Sequence, residues 1–225
     1  MFLKVAWLVL RKDVAIEYKT REILYTTLFF AVACVLVFSF AFVREGQPIE
    51  GAAGGILWIA IIFSGNLALG RTFERERYGE TMRALLLAPA PRAAIYLGKL
   101  LGIVALMLLT ELLLVPMIAF LFREPLLARP LHLTALLALG TIGFSSVGTL
   151  FAAMLMRTRT RDVLLPILLY PITVPVIIAG VLGTSALTKT PADEPMAVLW
   201  IALLGFFDVV FLTLALWMFE PLMTE

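Results

Sequence analysis

Residues 51–70 read GAAGGILWIAIIFSGNLALG, and residues 71–99, directly after them, read RTFERERYGETMRALLLAPAPRAAIYLGK. The first stretch carries no charge, and as a helix at about 1.5 Å per residue it reaches the roughly 30 Å needed to cross a bilayer. The second holds six Lys and Arg residues. An apolar run that ends abruptly in basic residues is the pattern of a membrane span emerging on the side where positive charge is retained.

Five further runs of this kind flank it, at 23–43, 100–122, 133–156, 163–183 and 196–219. The sequence therefore predicts an all-α membrane protein with six transmembrane helices, forming a single membrane domain over residues 1–225. Segments 1–22, 71–99 and 157–162 hold five, six and three basic residues, whereas the alternate loops hold only Arg44, Arg123, Arg129 and Lys189. That bias predicts that both termini are cytoplasmic. A content of 62% hydrophobic and 15% charged residues departs far from the roughly 45–50% and 25% of soluble proteins. What remains outside the spans is too short for a soluble domain, so any nucleotide-binding or catalytic domain is expected on another chain. A net charge of +2 gives no nucleic-acid footprint; the basic residues mark topology and meet the anionic headgroups of the lipid bilayer.

At the N-terminus, Val5 to Leu10 is apolar but short and runs into Arg11-Lys12-Asp13 without a small-residue cleavage site, which argues against a signal peptide. Phe2, Val5, Val9 and Ile16 share one helical side while Lys4, Arg11, Lys12 and Lys19 share another, so residues 1–22 are expected to lie along the membrane interface. The alternative is an ordinary basic flank. Cys34 is the only cysteine and lies mid-span, which excludes a disulfide or thiolate cluster within the chain. His132, the only histidine, stands at the edge of the fourth span and reads as incidental rather than as a metal or haem ligand. No metal site is expected.

The connection after residue 70 has its own organisation. Residues 71–78 alternate acid and base at helical neighbour positions, as with Glu74 and Arg77, and predict a short solvated helix. Tyr78-Gly79 marks a break, Glu80 to Leu87 turns apolar, Pro89 stops that stretch, and Pro91 is placed to open the next helix. The result is a protruding element over residues 71–88.

Within the spans, Glu111 and Asp208 are carboxylates with no Lys or Arg in a span interior to pair with. Each costs about 2.5–3.5 kcal/mol if ionised at mid-membrane. Both a proton or substrate path and a neutral hydrogen-bonding group fit them, and Asn66 is a candidate partner. Pro166, Pro171 and Pro175 fall in one span, each removing a backbone donor. That predicts a kinked, bundle-facing helix whose prolines serve as hinges of the transport path. Gly140, Gly143, Ser145, Ser146 and Gly148 read as close-packing positions.

Several short motifs in register resemble the haem exporter protein B (CcmB) family of cytochrome c maturation permeases. They are Gly55-Ile-Leu-Trp-Ile-Ala, Asn66-Leu-Ala-Leu-Gly-Arg-Thr-Phe-Glu-Arg-Glu, Leu85-Leu-Leu-Ala-Pro and Tyr96-Leu-Gly-Lys99, followed by Leu139 to Phe144, Gly148-Thr-Leu, Arg157 to Asp162 and Leu164 to Pro175. The resemblance covers roughly residues 1–185. It implies an ABC-2 type permease of the bacterial inner membrane that dimerises with a second copy of itself and works with a separate cytoplasmic ABC ATPase, which binds the ATP. It further implies other cytochrome c maturation membrane proteins and a haem chaperone as partners, haem as the substrate, and no cofactor or catalytic residue on this chain. In such permeases the first cytoplasmic loop couples to the ATPase, which assigns Glu74, Arg75, Glu76, Tyr78, Gly79 and Glu80 as coupling contacts and Leu85 to Leu87 as the anchor. Tyr78 stands where many relatives carry an acidic or small residue.

Three other readings remain: an ABC-2 permease for another hydrophobic substrate, a proton-coupled secondary transporter using Glu111 and Asp208, and a non-transporting scaffold for membrane assembly that passes ATP-driven motion to partners. The second predicts an inverted repeat, which the halves 1–122 and 133–225 do not show. An intramembrane enzyme is disfavoured because no serine-lysine, HExxH or paired-aspartate signature lies on the spans.

Overall fold

A computed structural model describes residues 2–44, 47–48, 51–78, 91–158 and 160–222. Its helices are α1 (Phe2–Thr20), α2 (Glu22–Ala41), α3 (Ala52–Tyr78), α4 (Arg92–Phe122), α5 (Pro130–Met154), α6 (Arg161–Thr188) and α7 (Glu194–Leu222). Six of them, α2 to α7, are long and apolar enough to cross a membrane. The chain is a multi-pass, all-helical membrane protein, as its charge pattern predicted. Beyond the helices, the described residues contain two single-turn 3-10 segments and a two-residue antiparallel pairing of Val43–Arg44 with Gln47–Pro48.

The spans run alternately up and down, and polar bonds tie both ends of the bundle. At one end Gly51 N–H donates to Glu124 at 3.0 Å and Arg129 pairs with Glu194. At the other, Arg92 donates to the carbonyl of Glu220 at 3.4 Å, which joins the start of α4 to the end of α7. This second end also carries α1, and with it most of the basic residues.

Helix α3 runs on as one helix through residues 71–78, so the expected separate solvated helix is instead its last two turns. The cause is local: no helix breaker stands between Gly70 and Tyr78, and a helix of 27 residues is about 40 Å long, enough to leave a roughly 30 Å core. Pro91 precedes the first turn of α4, where its missing donor is harmless. Gly79, Glu80, Leu85 to Leu87 and Pro89 lie outside the described residues.

The core forms around α5, whose small residues let its neighbours approach. Trp58 of α3 is fully buried there. Its indole lies against Gly140 of α5 and Gly180 of α6, where any Cβ would overlap the ring, and its N–H donates to the Thr184 hydroxyl at 3.0 Å. Tyr96 of α4 donates to the carbonyl of Ser146 at 2.9 Å. Lipid tails are as apolar as the side chains, so such close packing and bonding, rather than hydrophobic transfer, hold spans together.

Helix α6 continues through all three prolines from Arg161 to Thr188. Its inward face is Leu165, Leu169, Thr173, Val176 and Ala179; Pro171 and Pro175 stand on the exposed flank and Pro166 is half-buried. The helix turns a face to the bundle as expected, and two of its three prolines stand off that face. A ring on the outer flank leaves the packed face of the helix intact, which is why that side tolerates it.

Candidate functional site

Chemistry concentrates at the basic end of the bundle, where α1 lies across the start of α4. Contact there is close because residue 98 is glycine: a Cβ at Gly98 would stand 2.7 Å from the Ala6 carbonyl oxygen and from the Val9 Cβ of α1. That approach brings Asp13 of α1 over Lys99 of α4. The Lys99 ammonium donates to Asp13 at 2.8 Å and also to Glu76 from the last turns of α3. Lys12 donates to the same Glu76 oxygen at 2.8 Å and lies 3.0 Å from Asp13. Two ammonium groups and two carboxylates thus balance, with the Lys99 side chain 1% and the Glu76 side chain 5% exposed.

Burial works against the charge on Lys12, but its bonds to Glu76 and Asp13 outweigh that and hold its pKa above the ordinary lysine value. A second pair extends the cluster. Glu17 of α1 accepts from Arg75 of α3 at 3.0 Å and, with its other oxygen, from the backbone N–H of Leu24 at 2.8 Å. That amide sits in the first turn of α2, where helical donors have no intrahelical partner, so Glu17 caps α2. Between α1 and α2 the chain turns at Arg21, whose φ of 53° is left-handed and unusual for a side-chain-bearing residue. Four helices are therefore bound into one unit by six charged side chains.

The sequence-assigned coupling residues divide accordingly. Glu74 faces outward and makes an exposed pair with Arg71 at 3.5 Å, of a kind worth little by itself. Arg75 and Glu76 turn inward to α1 and α4. Tyr78 closes the described part of α3, its side chain beyond description, and Gly79 and Glu80 lie outside the described residues. Sequence reading assigned no coupling role to Lys12, Asp13, Glu17 or Lys99. One signal was available: Lys99 sits in the apolar run Tyr96-Leu-Gly-Lys-Leu-Leu, and a lysine entering a span requires an anionic partner.

The intramembrane acids are placed differently. Glu111 of α4 accepts from the Thr141 hydroxyl of α5. Asp208 of α7 lies against Gly143 of α5, 2.7 Å from where a Cβ would stand. Thr141 and Gly143 are two residues apart, about 200° around the helix, so the two acids contact opposite flanks of α5. Neither bonds to Asn66, whose side-chain oxygen has no partner among the described residues; the expected pairing is not formed. Among the described residues no group of three His, Cys, Asp or Glu is placed to hold a metal.

Beside the ion cluster a cleft of about 410 Å³ opens between α1, α2, α3 and α4. Asp13, Glu17, Arg75 and Lys99 form one end of it, and Leu106 and Leu109 lie further along α4.

Comparison with known proteins places this arrangement in a family context. The family described as CcmB protein matches residues 4–221. The heme exporter protein B of Pseudomonas aeruginosa is 28% identical over 87% of this chain and 86% of its own length. Those of Rhodobacter capsulatus and Paracoccus denitrificans are 32% and 33% identical, each over 68% of this chain and 69% of theirs.

Proposed function

Because the chain belongs to the CcmB protein family, we propose that this multi-pass membrane protein is the permease subunit of an ABC transporter acting in haem export for cytochrome c biogenesis. Its relatives are named as heme exporters, and haem is taken as substrate on that ground. The reading places both termini in the cytoplasm of a bacterial inner membrane. ATP is hydrolysed by a separate subunit, and this chain contributes no catalytic group. A second copy, other cytochrome c maturation membrane proteins and a haem chaperone complete the assembly.

The observation that carries the coupling part is the buried Asp13–Lys99–Glu76 contact. A push on the loop after Tyr78 arrives at α3, and Glu76 passes it to α1 and α4 together, because separating these buried charges is costly. Glu74, Tyr78, Gly79 and Glu80 then form the docking surface, while Arg75 and Glu76 transmit from behind it. Pro166, Pro171 and Pro175 are the proposed hinges, and Glu111 and Asp208 border the proposed path.

The test is a Gly79→Pro, Glu80→Lys double variant, which removes an amide donor and reverses a charge without touching a span. It is expressed with the ATPase in a strain lacking its own family member. Normal membrane accumulation with loss of ATPase co-purification and of haem-stained cytochrome c is expected. Wild-type ATPase binding and cytochrome maturation together would refute the coupling assignment.

A further inference from the structure

We propose that the cleft between α1, α2, α3 and α4 holds one anionic phospholipid of the surrounding bilayer. Its volume of about 410 Å³, in the range of small-molecule sites, takes a headgroup and part of one acyl chain while the rest of the lipid stays in the bilayer, and its polarity runs in one direction. Charged groups line one end; Leu24, Ile103, Leu106 and Leu109 line the rest. From Lys99 to Leu109 along α4 is about 15 Å, half of the hydrocarbon core. A headgroup at the Lys99 level thus leaves an acyl chain at the depth of the same leaflet.

The sign of the headgroup follows from which charges are already matched. Lys99 is held by Asp13 and Glu76, and Arg75 by Glu17. Arg21, also on the lining, has only neutral partners among the described residues: it donates to the Tyr18 carbonyl at 3.4 Å and to the Tyr25 hydroxyl at 3.3 Å, and lies 5.6 Å from the centre of the Tyr18 ring. A guanidinium has five N–H donors, so most of its donor capacity remains for a phosphate, with which it forms forked charge-assisted bonds. The elbow fixes Arg21 immediately before the first span, at headgroup depth. A lipid of net negative charge is matched there better than a zwitterionic one. This inference rests on the membrane embedding of the chain and is independent of haem as substrate.

Native mass spectrometry of the detergent-purified protein, titrated with phosphatidylglycerol or phosphatidylcholine, tests it. Wild type is expected to hold one phosphatidylglycerol with about fivefold preference over phosphatidylcholine. Arg21→Gln should abolish the preference, Arg21→Lys should keep part of it, and Leu106→Trp should fill the apolar end and weaken retention of both lipids. Lipid-free melting of each variant, matched to wild type, shows that the fold is intact. Equal retention of the two lipids by wild type, a preference that survives Arg21→Gln, or undiminished retention of both lipids in Leu106→Trp overturns the proposal.

Discussion

Glu76 and Lys99, on either side of the connection that follows Tyr78, form an ion pair almost wholly removed from solvent, and Asp13 of the N-terminal helix closes on the same ammonium. The connection between two spans is thereby clasped at its base.

Removing the ammonium should be costly. Lys99→Met leaves Asp13 and Glu76 sharing Lys12 alone, and loss of one member of a buried ionic group destabilises by about 3–5 kcal/mol. Thermal unfolding of the detergent-purified protein is expected to show a clear drop in midpoint, partly restored by neutralising one carboxylate as well, as Glu76→Gln with Lys99→Met, which leaves Asp13 and Lys12 matched one to one. An unchanged midpoint in Lys99→Met would show that the cluster contributes nothing.

Gly98→Val should unseat α1. Its added carbons meet the Ala6 backbone and Val9, and overpacking of this kind costs about 1–3 kcal/mol. Gly102→Ala is the control, because its Cβ would meet Leu10 and Asp13 only at 3.8 and 3.9 Å, ordinary contact distances. Faster limited proteolysis within α1 is expected for the first variant and wild-type protection for the second; equal protection in both would contradict the seating at Gly98.

Cysteine accessibility in intact cells reads the topology. In a Cys34→Ser background, cysteines at Gln47, Leu127 and Thr190 should react with a membrane-impermeant reagent, and one at Arg83 only after permeabilisation. Labelling of Arg83→Cys from outside would invert the orientation proposed for the bundle.

Glu111→Gln keeps an oxygen for the Thr141 hydroxyl, whereas Thr141→Val removes the donor and should cost about 1–3 kcal/mol. The two acids contact opposite flanks of α5, so Glu111→Gln and Asp208→Asn should act independently, with a coupling energy within about 0.5 kcal/mol in a stability cycle. A larger coupling would mean one connected network. Cytochrome c maturation measured in the same four proteins reads the path: full maturation in the double variant removes both acids from it.

The spans were legible because charge and hydropathy are properties of single residues, and a bilayer enforces them at a fixed length. What was not legible is where a charge points. Glu76 and Glu74 are alike in sequence, yet two residues of helix rotation turn one onto Lys99 and leave the other beside Arg71. The prolines are similar: Pro171 and Pro175 announce missing backbone donors but not the side of the helix that bears them. Only the packing of Leu165, Leu169 and Thr173 against the bundle settles that. Lys99 shows the complementary case, in which a charge in an apolar run announced a partner without naming Asp13.

Trp58 carries a kinematic implication. Its indole is keyed into α5 at Gly140 and into α6 at Gly180 and bonded to Thr184, so these three helices cannot slide past one another at that level without forcing a ring through a backbone. The stretch of α6 beyond Gly180 is pinned, and the proposed hinges all lie on the other side of that pin. Bending at Pro166, Pro171 or Pro175 therefore moves the Arg161 end like a lever on a fixed fulcrum, and Arg161, which donates to the Gly70 carbonyl of α3 at 3.4 Å, is the latch such a stroke must first release.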